Sequence, residues 1–462
     1  NWAGVMSALS SLRNIMKKTI ALLIMTLLSF DALGQEAPSE HVVLISIDGF
    51  RPDFYMEEKW PAAHLKWMAA RGAKAEGVRG VFPTVTYPSH TTIITGAKPG
   101  RHGIYYNSPF EPKGQTGAWY WYSKEIKTPT LWDAVKAKGL QSASFIWPVS
   151  VGAPIDFNIP EFWYLEGGND RIKPMRDQDN PDGLLEELER EVLGKMNTNT
   201  FNGDYFNRED RTGEMAAYVL EKYKPSLITL HLIGTDHFQH EGGRDGEKVP
   251  FALAAADRAI GKIKEAAERA GLLEKTTFII TGDHGFVDVH SRLSPNVWLA
   301  VAGLIGAEKN RGNWKAAFHT SGAAAFLHLK DPNDKQTLQR VQQILKELPE
   351  KTKKLFRVVS KEELLAVGAD PNAFLGIAPV PGVAMSSAAT GNDLKPGSGG
   401  THGYFPDFKQ IETGFVAFGA GIVEGKVIHT MGLEDVAPLV AALLGLDFIA
   451  PDGVLYPGII KR

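Results

Sequence analysis

Three short apolar runs rich in Ile, Leu, Val and Thr each lead into an aspartate. They read "HVVLISIDGF" with Asp48, "SLITLHLIGTDHFQH" with Asp236 and "TTFIITGDHGF" with Asp283. Because the runs lack polar alternation, they predict strands that are buried on both faces, as in a parallel sheet covered by helices. Ligands of such sheets bind beyond the carboxyl ends of the strands, which is where all three aspartates fall.

Segments with the spacing of amphipathic helices lie between these strands. They occupy residues 61–72, 130–139, 181–196, 212–223 and 257–272. This alternation predicts an α/β fold with a mainly parallel central sheet sandwiched between helices, completed by a strand "TGFVAFGAG" and a helix "LEDVAPLVAALLGL". Two stretches interrupt the pattern and are interpreted as inserts, an aromatic-rich one at about 105–205 and a strand–helix–strand one at about 305–398.

The composition is that of a globular protein with a large core. Of the 462 residues, 44% are hydrophobic and 22% are charged. The net charge of −3 gives no reason to expect a nucleic-acid polymer or an anionic membrane as partner. The chain has no cysteine, which excludes disulfides, a thiol nucleophile and thiolate metal ligands.

The N-terminal segment predicts export. Met16-Lys17-Lys18 precedes the apolar run "TIALLIMTLLSF" and then "DALGQ", with small residues at Ala32 and Gly34. This order is typical of a secretory signal peptide, here residues 16–34. An N-terminal membrane anchor is the alternative, but the apolar run is short for a bilayer. We therefore expect a periplasmic or secreted protein without a stable membrane span after cleavage.

Histidines accompany the aspartates at the predicted strand ends and loops. Asp236 and His240 are four residues apart, so one helical turn places both on one face. His237 competes with His240 for this role. Oxygen and nitrogen ligands without sulfur suit Zn²⁺, with Mn²⁺ or Fe as alternatives, and six ligands suit two metals roughly 4 Å apart. The candidate ligands are Asp48, Asp236, His240, Asp283, His284 and His402.

Six motifs occur in a fixed order along the chain: "SIDGF", "PTVTYPSHTTIITG", "RHGIYYN", "TDHFQH", "GDHGF" and "GTHGY". The set, which spans roughly residues 41–450, resembles the nucleotide pyrophosphatase/phosphodiesterase family of the alkaline phosphatase superfamily. The resemblance implies an alkaline-phosphatase-like catalytic domain over residues 38–462. It also implies a two-zinc hydrolase that cleaves phosphodiester or phosphoanhydride bonds of nucleotides.

The resemblance also implies roles for individual residues. Thr86 would be the nucleophile and form a phospho-threonine intermediate, and Asn107 would donate a hydrogen bond to a phosphoryl oxygen. Residues 89–92 are predicted to begin a short helix that Ser89 caps. The implied zinc ligands are Asp236, His240 and His402 for one ion, and Asp48, Asp283, His284 and the Thr86 oxygen for the other.

The implied partner is a small-molecule nucleotide or phosphodiester, and aromatic rings are the expected means of holding it. Tyr87 matches a position that stacks the base in relatives. Further candidates are Trp121, Trp147, Trp163 and Tyr164, for which core packing is the alternative.

Two other functions stay open. A phosphate monoesterase on the same scaffold would need extra positive charge, for which Arg101, Lys124 and Arg244 are candidates. A non-catalytic metal- or nucleotide-binding protein is less favoured, because it would not need Thr86 as a nucleophile.

Overall fold

The computed structural model describes most of the chain from residue 37 onward. The described residues are 37–166, 168, 170–306 and 313–461, together with Trp2 and Met16. The predicted signal peptide, residues 16–34, lies outside the described residues apart from Met16. Within the described residues, none of the helices combines the length and the apolar composition needed to cross a bilayer.

The strands, numbered in chain order, are β1 (His41–Ile47), β2 (Ala73–Ala75), β3 (Val78–Arg79), β4 (Ser142–Phe145), β5 (Phe157–Ile159), β6 (Leu227–Leu232), β7 (Thr276–Thr281), β8 (Val287–Asp288), β9 (Ser291–Leu293), β10 (Ala316–Ser321), β11 (Ala324–Leu329), β12 (Phe356–Val359), β13 (Gly376–Pro379), β14 (Val383–Met385), β15 (Leu394–Pro396), β16 (Gly400–Thr401), β17 (Phe415–Gly419), β18 (Lys426–Ile428) and β19 (Met431–Gly432).

The helices are α1 (Asp53–Met56), α2 (Ala63–Arg71), α3 (Thr86–Thr95), α4 (Pro99–His102), α5 (Leu131–Ala137), α6 (Ile172–Arg176), α7 (Leu184–Leu188), α8 (Thr198–Phe201), α9 (Tyr205–Tyr223), α10 (Gly234–Gly242), α11 (Val249–Arg269), α12 (Pro295–Val301), α13 (Lys335–Glu347), α14 (Glu350–Lys353), α15 (Lys361–Ala366) and α16 (Val436–Leu444).

The three predicted strands lie side by side at the centre of an eight-stranded sheet, whose order is β18-β2-β17-β7-β1-β6-β4-β5. β1 runs parallel to both neighbours, so that Val43 pairs with Ile228 on one side and with Phe278 on the other. β17 runs antiparallel to β7 and β2, and the other pairings in this sheet are parallel. The prediction of a mainly parallel central sheet between helices is confirmed.

The side chains of β1 alternate between two hydrophobic cores. Val43 and Ile45 pack into a cluster that includes side chains of α9 and α11, whereas Val42 and Leu44 pack into one that includes α16. Full burial of each such side chain stabilises the folded state by about 1.5–3 kcal/mol. Both faces of the strand are therefore apolar, which explains why its sequence shows no polar alternation.

The first predicted insert needs correction, because the main sheet divides it. Residues 142–159 supply β4 and β5, and β4 pairs in parallel with β6 through Ser144 and Thr229. These strands have only four and three residues, too few for a repeating pattern to identify them. The parts on either side lie outside the main sheet.

The second predicted insert contains a sheet of its own. β10, β11, β12 and β13 form a four-stranded sheet in the order β10-β11-β13-β12. Side chains of this sheet and of α13 share a separate hydrophobic cluster. β14 and β15 instead pair with β9 on either side.

One aspartate of α11 caps the start of α2. The Asp257 carboxylate accepts hydrogen bonds from the backbone amides of His64 at 3.0 Å and Leu65 at 2.8 Å. The residue before α2, Ala62, has no side-chain oxygen to do this. A carboxylate at a helix N-terminus also interacts favourably with the helix dipole.

We therefore expect Asp257→Ala to lower the free energy of unfolding by about 1–2 kcal/mol, because two helix amides lose their acceptor. Urea denaturation followed by circular dichroism measures the change. Glu265→Ala, at an exposed position of the same helix, is the matched control and should change stability by less than about 0.5 kcal/mol. Equal effects of the two substitutions would contradict the capping role.

Candidate active site

The three predicted aspartates converge at the carboxyl edge of the sheet. Asp48 directly follows β1, Asp236 lies in the first turn of α10, and Asp283 follows β7. The Nε2 atom of His284 lies 3.3 Å from Asp48 Oδ1 and 3.1 Å from Asp283 Oδ2. One of the predicted histidines is thus in contact with two of the carboxylates.

The other two predicted histidines lie around Asp236. Asp236 Oδ1 is 3.4 Å from His240 Nε2 and 3.5 Å from His402 Nε2. His237, the competing candidate, instead stacks on Tyr205 with 3.8 Å between the ring centroids. The structure therefore brings together all six residues that the sequence analysis selected.

The three histidines share one orientation, in which Nδ1 lies against a backbone carbonyl. The pairs are His240 with Gly400 at 2.9 Å, His284 with Gly285 at 3.2 Å and His402 with Thr84 at 2.9 Å. Because a carbonyl only accepts, Nδ1 carries a proton, and Nε2, the unprotonated nitrogen of the ring when it is neutral, faces the carboxylates. Metal-binding histidines are typically held in this way.

Four polar atoms that face this space are buried without a well-oriented hydrogen-bond partner. They are Asp48 Oδ1, Asp236 Oδ1, Asp283 Oδ2 and His284 Nε2. Carboxylate oxygens and ring-nitrogen lone pairs are all electron-rich, so their burial together is unfavourable unless a cation lies among them. The residues present therefore fit a divalent-metal centre. Ligand-atom distances define two groups: Asp236, His240 and His402, and Asp48, Asp236 and His284.

Burial shifts the ionisation of these residues. It raises the pKa of Asp283 to about 7. Burial, followed by repulsion from Asp236 and Asp283, also raises the pKa of Asp48 well above its usual range. Burial lowers the pKa of His402 to about 4 and that of His284 well below its usual value. Both histidines are therefore neutral near pH 7, which is the form that binds metals.

Thr86 is the first residue of α3, and the extended Val85 precedes it. The amides of a first helical turn have no partner within the helix and attract anions. The Tyr87 amide donates to Asn107 Oδ1 at 2.9 Å. Because its oxygen is used in this way, Asn107 keeps its Nδ2 group for another acceptor.

The predicted helix cap at Ser89 is wrong. α3 begins three residues earlier, and the Ser89 hydroxyl is buried without a hydrogen-bond partner. In the sequence, Pro88 suggests a break in the helix, but it lies at the third helical position. A proline is tolerated in the first turn because its missing amide proton would have no partner there.

The loop that carries Asn107 is held by the second insert. On one side of Asn107, the Tyr106 hydroxyl donates to Asp370 Oδ2 at 2.8 Å. On the other side, the Ser108 carbonyl lies 3.1 Å from Nε2 of His319 in β10. No sequence motif marks Asp370, which follows α15 far along the chain.

Three of the aromatic residues predicted to bind substrate are closed off, and the structure corrects these predictions. Trp147 and Tyr87 are 0% exposed and Trp121 is 6% exposed. Trp147 packs against His90 in the core with 4.9 Å between ring centroids. The Tyr87 hydroxyl donates to Glu161 at 3.0 Å. Rings enclosed in this way present no face on which a base could stack.

A cavity of about 540 Å³ reaches the start of α10, the helix that carries Asp236 and His240. Ile233, which directly precedes α10, is one of its lining residues. The predicted candidate Tyr164 is 42% exposed and donates to Asp177 at 2.8 Å, but it does not line the cavity. The aromatic and charged residues that do are Trp119, Phe162, Trp163, Tyr205, Glu161, Arg171 and Arg208. Of these, only Trp163 was selected from the sequence.

The family model described as type I phosphodiesterase / nucleotide pyrophosphatase matches residues 42–405. The chain belongs to this family. It is 25% identical over 292 residues to human ectonucleotide pyrophosphatase/phosphodiesterase family member 7, covering 60% of this chain and 56% of the relative. It is 24% identical over 420 residues to a venom phosphodiesterase of Naja atra, covering 88% of this chain and 44% of the relative. The chain thus spans about half the length of the curated relatives it matches.

Solved structures of this family share the fold. Human ectonucleotide pyrophosphatase/phosphodiesterase 5 superposes with a TM-score of 0.64 at 20% identity, covering 90% of this chain and 97% of that one. An inactive variant of the murine protein in complex with AMP has a TM-score of 0.63 at 20% identity, with 90% and 96% coverage. This likeness supports the alkaline-phosphatase-like α/β architecture predicted from the motifs.

In the metal-free protein, the contribution of Asp283 to stability should fall as the pH rises from about 4 to 7. The pKa of Asp283 is raised to about 7 in the folded state, against about 3.9 when unfolded. Its contribution is therefore fully present below pH ~4 and is lost as the pH approaches 7, with a slope of at most about 1.4 kcal/mol per pH unit. Denaturation of chelated protein across this range measures it. The stability of Asp283→Asn relative to the wild type should rise with pH over this range, and a difference that does not change with pH would contradict the assignment.

Proposed function

We propose that the chain is an exported, two-zinc phosphodiesterase or nucleotide pyrophosphatase. It cleaves phosphodiester or phosphoanhydride bonds of nucleotides through a phospho-threonine intermediate. The observation that carries this proposal is the convergence of three aspartates and three histidines, their Nε2 atoms facing the carboxylates, at the sheet edge next to α3. A chain that only binds nucleotides would need neither this set of ligands nor a threonine at the helix N-terminus.

Zinc suits the donor set, because imidazole and carboxylate ligands without sulfur are those it accepts. Asp236 belongs to both ligand groups, so its charge would act on both ions. When bound, the two ions supply positive charge that favours the alkoxide of Thr86 and stabilises charge on the phosphoryl oxygens. We assign Asp236, His240 and His402 to one ion, and Asp48, Asp283 and His284, with the Thr86 oxygen, to the other.

Thr86 and Asn107 have different roles in the proposed reaction. The Thr86 hydroxyl loses its proton, its oxygen forms a bond to phosphorus, and the bond from phosphorus to the leaving oxygen breaks. Water then hydrolyses the phospho-threonine and restores the hydroxyl. Asn107 donates from Nδ2 to a phosphoryl oxygen, and the positive end of the α3 dipole favours the anionic group.

The cavity beside the metal centre is proposed to hold the organic part of the substrate. Trp119 and Trp163 pack edge to face there with 5.2 Å between ring centroids, and Tyr205 lines the same space. Stacking of a base on such rings contributes about 1–3 kcal/mol. The AMP complex of the murine relative supports a nucleotide as the bound molecule.

Export is proposed from the signal-peptide pattern of residues 16–34, which leaves residues 38–462 as the catalytic domain. The likeness to venom phosphodiesterases supports this location.

The basic residues that a monoesterase would need are engaged elsewhere. Arg101 pairs with Asp452 at 2.9 Å, and Arg244 pairs with Asp53 at 3.1 Å. Lys124 lies over the ring of Tyr122. None of the three lines the cavity, so these contacts favour the diesterase over the monoesterase.

We expect the purified protein to cleave the nitrophenyl ester of thymidine 5′-monophosphate at least about tenfold faster than nitrophenyl phosphate, because Arg101, Lys124 and Arg244 are engaged in other contacts and cannot meet the extra charge of a monoester. The comparison is made by kcat/KM in zinc-containing buffer. Chelation should abolish both rates and zinc should restore them. A faster monoester rate would contradict the diesterase assignment.

Replacing Thr86 by alanine should lower kcat by about 10³-fold or more while zinc stays bound, because only the nucleophile is lost. Turnover assays and metal analysis of the same sample check both statements. Thr95→Ala, at the far end of α3, where its hydroxyl donates to the Thr91 carbonyl, is the matched control. Full activity of the Thr86→Ala variant would show that another group attacks phosphorus.

A further inference from the structure

Two guanidinium groups line the cavity without a carboxylate partner. They belong to Arg171 and Arg208. In the part of the chain that the structure describes, no carboxylate comes within ion-pair distance of either side chain. By contrast, Arg176 pairs with Glu186 at 2.6 Å and with Glu189 at 3.0 Å. The cavity therefore holds positive charge that the fold itself does not neutralise by direct pairing.

Arg208 is held in place but not fully satisfied. The residue is only 9% exposed. Its Nη1 donates to Asn202 Oδ1 at 3.0 Å, and its guanidinium lies 5.0 Å from the ring centroid of Phe201. Its Nε is buried without a hydrogen-bond partner. A guanidinium has five N–H donors, and among the described residues only Nη1 of Arg208 has a hydrogen-bond acceptor, so the group keeps donor capacity for an anion.

Arg171 lies at the same cavity with its own support. Its guanidinium stands 4.6 Å from the ring centroid of Trp163. Stacking on an aromatic face orients a guanidinium while leaving its edge donors free. Two arginines presented in this way are suited to the several oxygens of a phosphate group.

The acid that lines the cavity does not cancel both charges. Glu161 accepts from the Tyr87 hydroxyl at 3.0 Å, and burial raises its pKa. It forms no ion pair with either arginine. Two arginines therefore line the cavity against one carboxyl group.

The cavity is linked directly to the reacting residues. Tyr87 follows Thr86 in α3, its hydroxyl bonds to Glu161, and its ring lies 5.0 Å from that of Trp119, both of which line the cavity. A substrate whose phosphorus lies at Thr86 would therefore have to extend past Tyr87 to place a further group in this cavity.

We propose that Arg171 and Arg208 bind a second phosphate group of the substrate, so that the preferred substrates are phosphodiesters or pyrophosphates whose organic part carries a further phosphate. This inference rests on the proposed function, because it presupposes hydrolysis at the neighbouring metal centre. Assays with an aryl diester that carries a single negative charge would not detect this preference for a second phosphate.

A matched pair of esters tests the proposal. One is the 5′-nitrophenyl phosphate of thymidine, and the other is the same ester with a 3′-phosphate. Their reacting centres and leaving groups are identical. We expect kcat/KM to be about tenfold higher for the ester with the second phosphate, mainly through a lower KM, as expected for added charge-assisted hydrogen bonds.

The variants Arg171→Gln and Arg208→Gln should each bring the ratio of the two kcat/KM values toward one. Arg211→Gln is the control, because Arg211 lies on α9 like Arg208 but donates to Asn207 and Leu193 outside the cavity. It should keep the wild-type ratio. Thermal melts of each variant identify any that fails to fold, and the ratio of the wild-type protein tests the proposal without any variant.

The outcomes separate this inference from the proposed function. No cleavage of either ester by the zinc-loaded protein would overturn the function. Cleavage of both esters with equal kcat/KM would leave the function standing and overturn the second phosphate site. An elevated ratio that persists in both cavity variants would also overturn it, because the phosphate would then be bound elsewhere.

Discussion

The site depends on the hydrogen bonds that fix the three histidine rings. Each Nδ1 donates to a backbone carbonyl, so the Nε2 of each ring faces the carboxylates. Without a cation, this arrangement brings electron-rich atoms together, several of them buried, which is unfavourable. With cations, the same atoms become ligands already in position. The geometry that destabilises the empty site is thus the geometry that stabilises the loaded one.

The parallel sheet makes this convergence possible. β1 is bonded on one side to β6 and on the other to β7, so their carboxyl ends deliver Asp48, Asp236 and Asp283 to one edge. His402 arrives from a distant part of the chain, where its Nδ1 bonds to the Thr84 carbonyl just before the helix that carries Thr86. One hydrogen bond therefore links the position of a candidate ligand to that of the candidate nucleophile. The second insert completes the site by holding the loop of Asn107 through Tyr106 and Asp370.

The sequence predicted the sheet and its polar edge well, because buried parallel strands and the aspartates that follow them leave a local pattern. It failed where the outcome depends on packing. Tyr87 and Trp147 were predicted to bind substrate through exposed ring faces, but both rings are buried. A helix begins at Thr86 although Pro88, two residues later, is typical of a helix break. β4 and β5 are too short to identify from their residues. Among the described residues, no carboxylate lies within ion-pair distance of Arg171 or Arg208. The sequence could not predict this, because it depends on which carboxylates the fold places near them.

The central claim is that six residues of this chain bind two metal ions side by side. The most direct measurement is a crystallographic anomalous difference map of the zinc-loaded protein, recorded at the zinc absorption edge. The account predicts two peaks roughly 4 Å apart, one beside His240 and His402 and one beside Asp48 and His284, with Asp236 near both. A single peak, or peaks away from these residues, would contradict it.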